Sequence, residues 1–340
     1  MALASNISPI RWDNDQLILL DQRYLPEKHD DYVCDTLEQA AQGIADLVVR
    51  GAPAIGITAA YAVYLGYRQS QRDAGYDLKQ ALVLLKNARP TAINLAWAVE
   101  LQTQIIQSGA KDIATRLLDN AIRIHEQDVM DNKTMGEYGA ELIAQGSRVL
   151  THCNAGALAT AGYGTALGVI RTAWALKKLD KVFASETRPW QQGLRLTAWE
   201  LAQDNIPVTL IVEGAASSLF ARQSIDWIIV GADRICANGD VVNKVGTANL
   251  AIMAQRFGVK VMVAAPLSTI DMATPSGDQV EIEYRSEDEI IAGKYTDFDN
   301  VTAWNPVFDV TPADLVDAIV TEKGVVPSPN KNKLKKLFSL

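Results

Sequence analysis

The hydrophobic rhythm of the chain changes near its middle. Up to about residue 145 the apolar positions recur mostly at helical spacing. From Ser147 onward short apolar runs alternate with helical stretches. Near the start, residues 10–12 and 16–20 flank the polar turn Asp13-Asn14-Asp15 and predict a hairpin, with a third short strand at 32–34. Thr36 followed three residues later by Gln39 is a capping-box pattern and predicts a helix to about residue 48. Further helices are predicted over 54–68, 92–107 and 111–145. In the second half, strands are predicted at 148–152, 182–185, 208–211, 227–230 and 260–264. Helices are expected at 160–179, 192–203, 215–222, from Gly246 onward, and at 312–320. This succession predicts an α/β protein. A Rossmann-like, mostly parallel sheet domain is preceded by a smaller, mainly helical N-terminal domain with a short antiparallel sheet. The polar patch near Asn132 sets the expected domains at 1–131 and 132–340.

A length of 340 residues suits two domains, and a hydrophobic fraction of 48% is ordinary for a globular protein. The formal net charge of −8 argues against nucleic acid or an anionic membrane as partner. Three cysteines without paired spacing point to a reducing compartment, and three scattered histidines form no metal-ligand set. The start of the chain lacks the basic-then-apolar layout of a secretory signal. No apolar run approaches the roughly 18 residues that a membrane helix needs. The expectation is a cytoplasmic protein that binds no membrane.

The run Trp227-Ile228-Ile229-Val230 reads as a buried parallel strand, and Asp233 sits just past its end. Ligands of open α/β sheets bind outside the carboxyl ends of the strands, so Asp233 reads either as a catalytic carboxylate or as a turn or cap residue. Asn238-Gly239-Asp240 makes a tight turn that brings Asn243 and Lys244 back toward it. Gly246 then opens a helix whose first amides favour anions. Cys153 ends another strand and is followed by small residues. It reads as an accessible thiol or as a small buried hydrophobe. His152 points to the opposite face of that strand and reads as a structural histidine rather than a partner of Cys153. Arg50-Gly51-Ala52-Pro53 and Arg89-Pro90-Thr91 each precede a helix. They fit either plain helix corners or a phosphate site at the helix starts. Gln192 opens the helix after the 182–185 strand and is suited to a substrate hydroxyl, whereas Glu186 and Arg188 read as structural. Gly162, Gly164 and Gly168 fall within the predicted 160–179 helix. They read as close helix packing rather than as a dinucleotide fingerprint.

RGAPAIG from Arg50, ARPTAINL from Ala88, THCNAGALAT from Thr151, ETRPWQQGLRLTAWEL from Glu186 and GADRICANGDVVNKVGT from Gly231 together resemble the methylthioribose-1-phosphate isomerase family, in collinear order along nearly the whole chain. Its fold family includes the regulatory subunits of eukaryotic initiation factor 2B and archaeal ribose-1,5-bisphosphate isomerases. The resemblance implies an aldose–ketose isomerase of methionine salvage that uses no cofactor and no metal and forms homodimers. It implies Cys153 and Asp233 as the catalytic pair. Arg50, Gly51, Ala52, Arg89, Gln192, Asn243 and Lys244 would bind the substrate. Cys236 and Gln191 depart from the family pattern, where a small and an apolar residue are expected. Two other readings compete: isomerisation of a different 5-modified ribose 1-phosphate, and a non-catalytic sugar-phosphate-binding regulatory subunit.

Overall fold

The computed structural model describes residues 7–90, 92–295, 298 and 300–338. By internal contacts the chain divides into two compact units. One runs up to Lys133 and regains Ala155–Gly164; the other holds Thr134–Asn154 and the chain from Thr165 onward.

The first unit opens with three antiparallel strands, β1 (Ile10–Asp13), β2 (Gln16–Leu20) and β3 (Asp31–Cys34), paired in that order. Leu17 and Leu19 are fully buried while Ile18 between them is half-buried, the period of two that a one-faced strand requires. Helices α1 (Leu37–Ala45), α2 (Ala52–Arg72), α3 (Leu78–Asn87), α4 (Ile93–Gln107) and α5 (Ile113–Glu141) follow. Thr36 caps α1 in the expected capping box with Gln39. Every residue of α2 from Ala54 to Gly66 is buried, so α2 is the central helix of this unit. A side chain at Gly56 would begin 3.0 Å from the carbonyl of Asn94, which sets how closely α2 and α4 approach. Trp12 stacks on Tyr61, with ring centroids 5.2 Å apart, and ties the small sheet to α2.

In the second unit β4 (Ser147–Thr151), α6 (Ala166–Ala175), β5 (Leu179–Ser185), α7 (Ala198–Gln203), β6 (Val208–Ile211), α8 (Ala216–Arg222) and β7 (Trp227–Val230) alternate. Next come β8 (Arg234–Cys236), β9 (Val241–Lys244), α9 (Thr247–Phe257), β10 (Lys260–Ala264), β11 (Ile270–Asp271), α10 (Asp288–Ile291), β12 (Phe308–Thr311), β13 (Ala318–Thr321), β14 (Gly324–Pro327) and α11 (Lys331–Leu337). Among the described residues seven strands form the main sheet in the order β14-β13-β10-β7-β4-β5-β6, parallel throughout except for the edge strand β14. Successive strands run outward from β4 through β5 to β6, then resume at β7 on the other side of β4. The strand order therefore reverses between β4 and β7. A smaller sheet, β11-β8-β9-β12, holds the excursion after β7. This is the α/β, Rossmann-like architecture that the alternation predicts, preceded in the chain by a mainly helical part with its own antiparallel sheet.

Two expectations are corrected. The predicted helix over 312–320 is instead a 3-10 turn at Ala313–Leu315 followed by strand β13. Ala318-Ile319-Val320-Thr321 is wholly buried and pairs with β10 on one side and β14 on the other, where β-branched residues fit well. The predicted 160–179 helix starts only at Ala166, because Gly162 and Gly164 have φ of +143° and +89°, outside any right-handed helix. A side chain at Gly164 would lie 2.5 Å from Gly156, so this glycine serves a loop-to-loop crossing rather than helix packing.

Candidate active site

Cys153 and Asp233 follow β4 and β7, the two strands on either side of the reversal in strand order. In open α/β sheets that reversal opens a crevice at the carboxyl ends. The hairpin of β8 and β9 carries Asn243 and Lys244 back to the same edge. The amide of Asp233 donates to the carbonyl of Val242 at 2.9 Å, one residue before Asn243. The turn between β8 and β9 is held by Asp240, which accepts from Asn238, Gly277 and Ala313.

Lys244 is buried. Burial pushes its pKa below the usual lysine range, and the electrostatic pull of Cys153 and Asp233 opposes that shift. Its ammonium donates to the carbonyl of Val307 at 3.1 Å and lies 4.9 Å from the ring centre of Phe308. A buried cation with a thiol and a carboxylate as its electrostatic partners is equipped to hold an anionic substrate beside acid–base groups. Asn243 is fixed by donating to Thr247 at 3.0 Å. Gln192 is also buried. Its side-chain oxygen has no hydrogen-bond partner among the described residues, and it is an acceptor of the kind that takes a hydroxyl hydrogen. The chain just after Gln192 is a single turn of π-helix, Gly193–Thr197.

Cys153 has a left-handed backbone with φ +60°, unusual for a residue with a side chain. Its amide donates to Thr187 Oγ1 at 2.9 Å, and its carbonyl accepts from Thr197 Oγ1 at 2.6 Å. His152 is buried, and burial pushes its pKa down to about 4. Its Nε2 lies 2.9 Å from the carbonyl of Val245, and a carbonyl only accepts, so Nε2 carries the proton. Nδ1 therefore accepts from the Ser185 hydroxyl at 2.6 Å. His152 is thus a neutral structural histidine, with its two ring nitrogens held by Val245 and Ser185. The anion that the helix start at Gly246 favours is the chain's own. Asp309 accepts from the amides of Gly246 and Ala248 at 2.7 and 3.1 Å. Nothing in the spacing of the sequence pairs Asp309, Thr187 or Thr197 with these partners.

The remaining candidates lie in the first unit. Gly51, at φ +92°, caps α2, and a side chain on it would strike the backbone of Ala159 at 2.6 Å. Arg50 just before it donates to Gln22 at 3.2 Å, and Gln22 donates to the carbonyl of Leu158 at 2.8 Å. Ala52 is the first residue of α2. Arg89 lies between α3 and α4, where its carbonyl receives the amide of Ala92. The N-termini of α2 and α4 both lack a side-chain cap hydrogen bond. Cys236, the departure near the β8–β9 hairpin, is buried, and burial pushes its thiol up to about 11.

A Rossmann-like sheet with a cysteine and an aspartate at its reversal, and a buried lysine between them in charge, defines a class. The chain belongs to the Initiation factor 2 subunit family, which matches residues 48–328. Within it the chain sits among the methylthioribose-1-phosphate isomerases. A protein of that name from Xanthomonas oryzae pv. oryzae is 52% identical over 339 residues, covering 98% of this chain and 96% of its own. The crystal structure of 5-methylthioribose 1-phosphate isomerase from Pyrococcus horikoshii superposes with a TM-score of 0.92 at 39% identity, over 99% of this chain and 97% of that one. A structure described as translation initiation factor eIF-2B, subunit delta, from A. fulgidus follows with a TM-score of 0.85 at 40% identity, over 98% and 100%.

Proposed function

We propose that the chain is an aldose–ketose isomerase that converts 5-methylthioribose 1-phosphate to 5-methylthioribulose 1-phosphate, a step of methionine salvage. The observation that carries this reading is the trio at the sheet edge. Cys153 and Asp233 follow the strands flanking the reversal, and the β8–β9 hairpin returns the buried Lys244 to the same edge. The 52% identity to proteins named for this reaction supports it.

The residue types suit the chemistry. The phosphate on the anomeric carbon blocks spontaneous opening of the sugar ring. Asp233 protonates the ring oxygen as a general acid, which breaks the bond from that oxygen to C1. The Cys153 thiolate takes the C2 hydrogen as a proton, leaving an enol phosphate, and returns it to C1 as the C2 hydroxyl gives its own proton to the Asp233 carboxylate left by ring opening. A hydride shift from C2 to C1 is the rival route. On the family resemblance Arg50, Gly51, Ala52, Arg89, Gln192, Asn243 and Lys244 bind the substrate. A water-poor pocket suppresses loss of phosphate from the enol. The same reading makes the protein a cytoplasmic homodimer that needs neither metal nor nucleotide cofactor and no nucleic acid.

The likeness to a chain described as an initiation-factor subunit favours a second reading, a subunit that binds sugar phosphate without converting it. The two are separated by incubating the protein with a panel of ribose 1-phosphates that differ at C5 and following ketose formation by NMR. Conversion is expected for the methylthio compound above the 5-phosphorylated one. Tight binding with no conversion of any panel member would overturn the isomerase reading.

A further inference from the structure

The backbone of Cys153 is held in a conformation that a residue with a side chain rarely adopts, and two threonine hydroxyls grip it. A left-handed non-glycine residue is strained and persists only where its surroundings over-determine it. Here the surroundings reach deep into the unit. Thr197 Oγ1 donates to the Cys153 carbonyl at 2.6 Å, and its remaining acceptor takes the side-chain amide of Asn154 at 3.1 Å. The same amide nitrogen donates its second hydrogen to Glu200 Oε1 at 2.9 Å. Glu200 Oε2 accepts from Arg171 at 2.8 Å, and Arg171 Nε donates to Asp204 at 2.6 Å.

Direction along this chain of bonds follows from chemistry. Arg171 only donates, and both carboxyl oxygens of Glu200 accept, one from Asn154 and one from Arg171. Asn154 must therefore turn its nitrogen toward Glu200 and Thr197, and Thr197 must spend its single hydrogen on Cys153. The ion group at the end of the chain is fully enclosed, with side-chain exposures of 0% for Arg171, 0% for Glu200 and 2% for Asp204. Burying such a group is rarely a net gain in stability, whereas a fixed geometry is something it does supply.

We infer that Thr197, backed by Asn154 and the buried Arg171–Glu200–Asp204 group, is a positioning residue that sets the direction of the Cys153 thiol for proton transfer. The inference rests on the isomerase reading for the use of that thiol. The holding of the thiol itself is testable without turnover.

The test uses the full chain with Thr197→Val, which keeps the shape and loses the hydroxyl, and Thr197→Ser, which restores it. Turnover of 5-methylthioribose 1-phosphate gives kcat and KM separately. Alkylation of Cys153 by iodoacetamide, followed against pH by peptide mapping, reads the thiol alone. Cys34 and Cys236 are buried, and burial pushes their thiols up to about 12 and about 11, so they react slowly. Thr197→Val is expected to lower kcat by about tenfold to a hundredfold, the cost of a misdirected group. KM should move far less, and the alkylation profile should be displaced. Thr197→Ser is expected to recover most of the kcat and the parental profile. A Thr197→Val kcat within about twofold of the parent, an unchanged alkylation profile, or a loss that serine does not recover would each overturn the inference. If the valine variant does not fold, Thr197→Ala reads the same quantities. Cys153→Ser is the control. Turnover surviving there would remove Cys153 from the proton transfer, no turnover by the parent would overturn the isomerase reading instead, and in either case the alkylation profile would still decide whether Thr197 positions the thiol.

Discussion

His152 and Asp309 hold the two ends of one peptide bond. His152 Nε2 donates to the carbonyl of Val245 at 2.9 Å, and Asp309 accepts from the amide of Gly246 at 2.7 Å. Gly246 is at φ +102°, and a side chain on it would lie 3.1 Å from the imidazole. That peptide stands between Lys244 and helix α9, so the pair fixes where the candidate lysine ends its strand.

The two groups titrate in opposite senses. Burial pushes Asp309 up from 3.8 to about 6, against the pull of the Ala248 and Gly246 amides and of Lys244. The folded protein therefore holds that proton longer than the unfolded chain, and the stability it adds is full below pH 3.8 and lost as pH rises through about 6. His152 is pushed down from 6.5 to about 4, so its contribution is full above pH 6.5 and lost as pH falls toward 4. Each slope is at most about 1.4 kcal/mol per pH unit. Urea denaturation between pH 4 and 6.5 is expected to show a steeper rise of stability with pH for Asp309→Asn than for the parent. His152→Gln should show a shallower rise or a fall. Parallel profiles in all three proteins would remove both assignments.

Isosteric changes at the catalytic candidates are expected to abolish turnover and spare the fold. Cys153→Ser lacks an easily ionised thiol, and Asp233→Asn cannot deliver a proton. Each kcat should fall by about a hundred- to ten-thousand-fold, with melting temperatures near the parent's. The double variant should lose less than the product of the single losses, because coupled groups are not additive. Near-normal kcat in either single variant would show the wrong residue has been named.

Arg50→Ala and Arg89→Ala are expected to weaken substrate binding by about 1.5–3 kcal/mol each, the scale of a hydrogen bond to a charged group. Calorimetric titration of an inactive Cys153→Ser background measures this directly. Unchanged affinity in both folded variants removes the arginines from the substrate.

Gly193 offers a steric test of the π-helical turn. A side chain there would begin 1.6 Å from the carbonyl of Ser185, at the end of β5. Gly193→Ala is expected to destabilise the protein by more than about 3 kcal/mol, the upper range of overpacking in a filled interior. A melting temperature within a degree or two of the parent would contradict the close approach.

Strands β4, β5, β6, β7 and β10 of the parallel sheet were legible because each is a short apolar run, and Trp227-Ile228-Ile229-Val230 is buried at every position. The carboxyl-edge positions of Cys153 and Asp233 followed from those runs. Helix α3 escaped notice because only Ala81 and Leu85 on it are buried, too thin a stripe to stand out as periodic. The 312–320 segment misled because Pro312 imitates a helix start, while its extended form is imposed by neighbours far along the chain. The left-handed turn at Cys153 carries no glycine to announce it. The hydroxyls that hold it come from Thr187 and Thr197, which only the folded chain brings near.

The return of Ala155–Gly164 to the first unit bears on how the protein is made. Synthesis is vectorial, and an N-terminal domain ordinarily folds as soon as it has left the ribosome. Here the nascent first unit lacks the backbone of Ala159 that lies against Gly51, and the carbonyl of Leu158 that takes the Gln22 amide. Both are translated only after strand β4 has been made. The N-terminal unit therefore waits on the polypeptide of its successor, and a gene cut after Lys133 would leave that unit without contacts it makes in the whole chain.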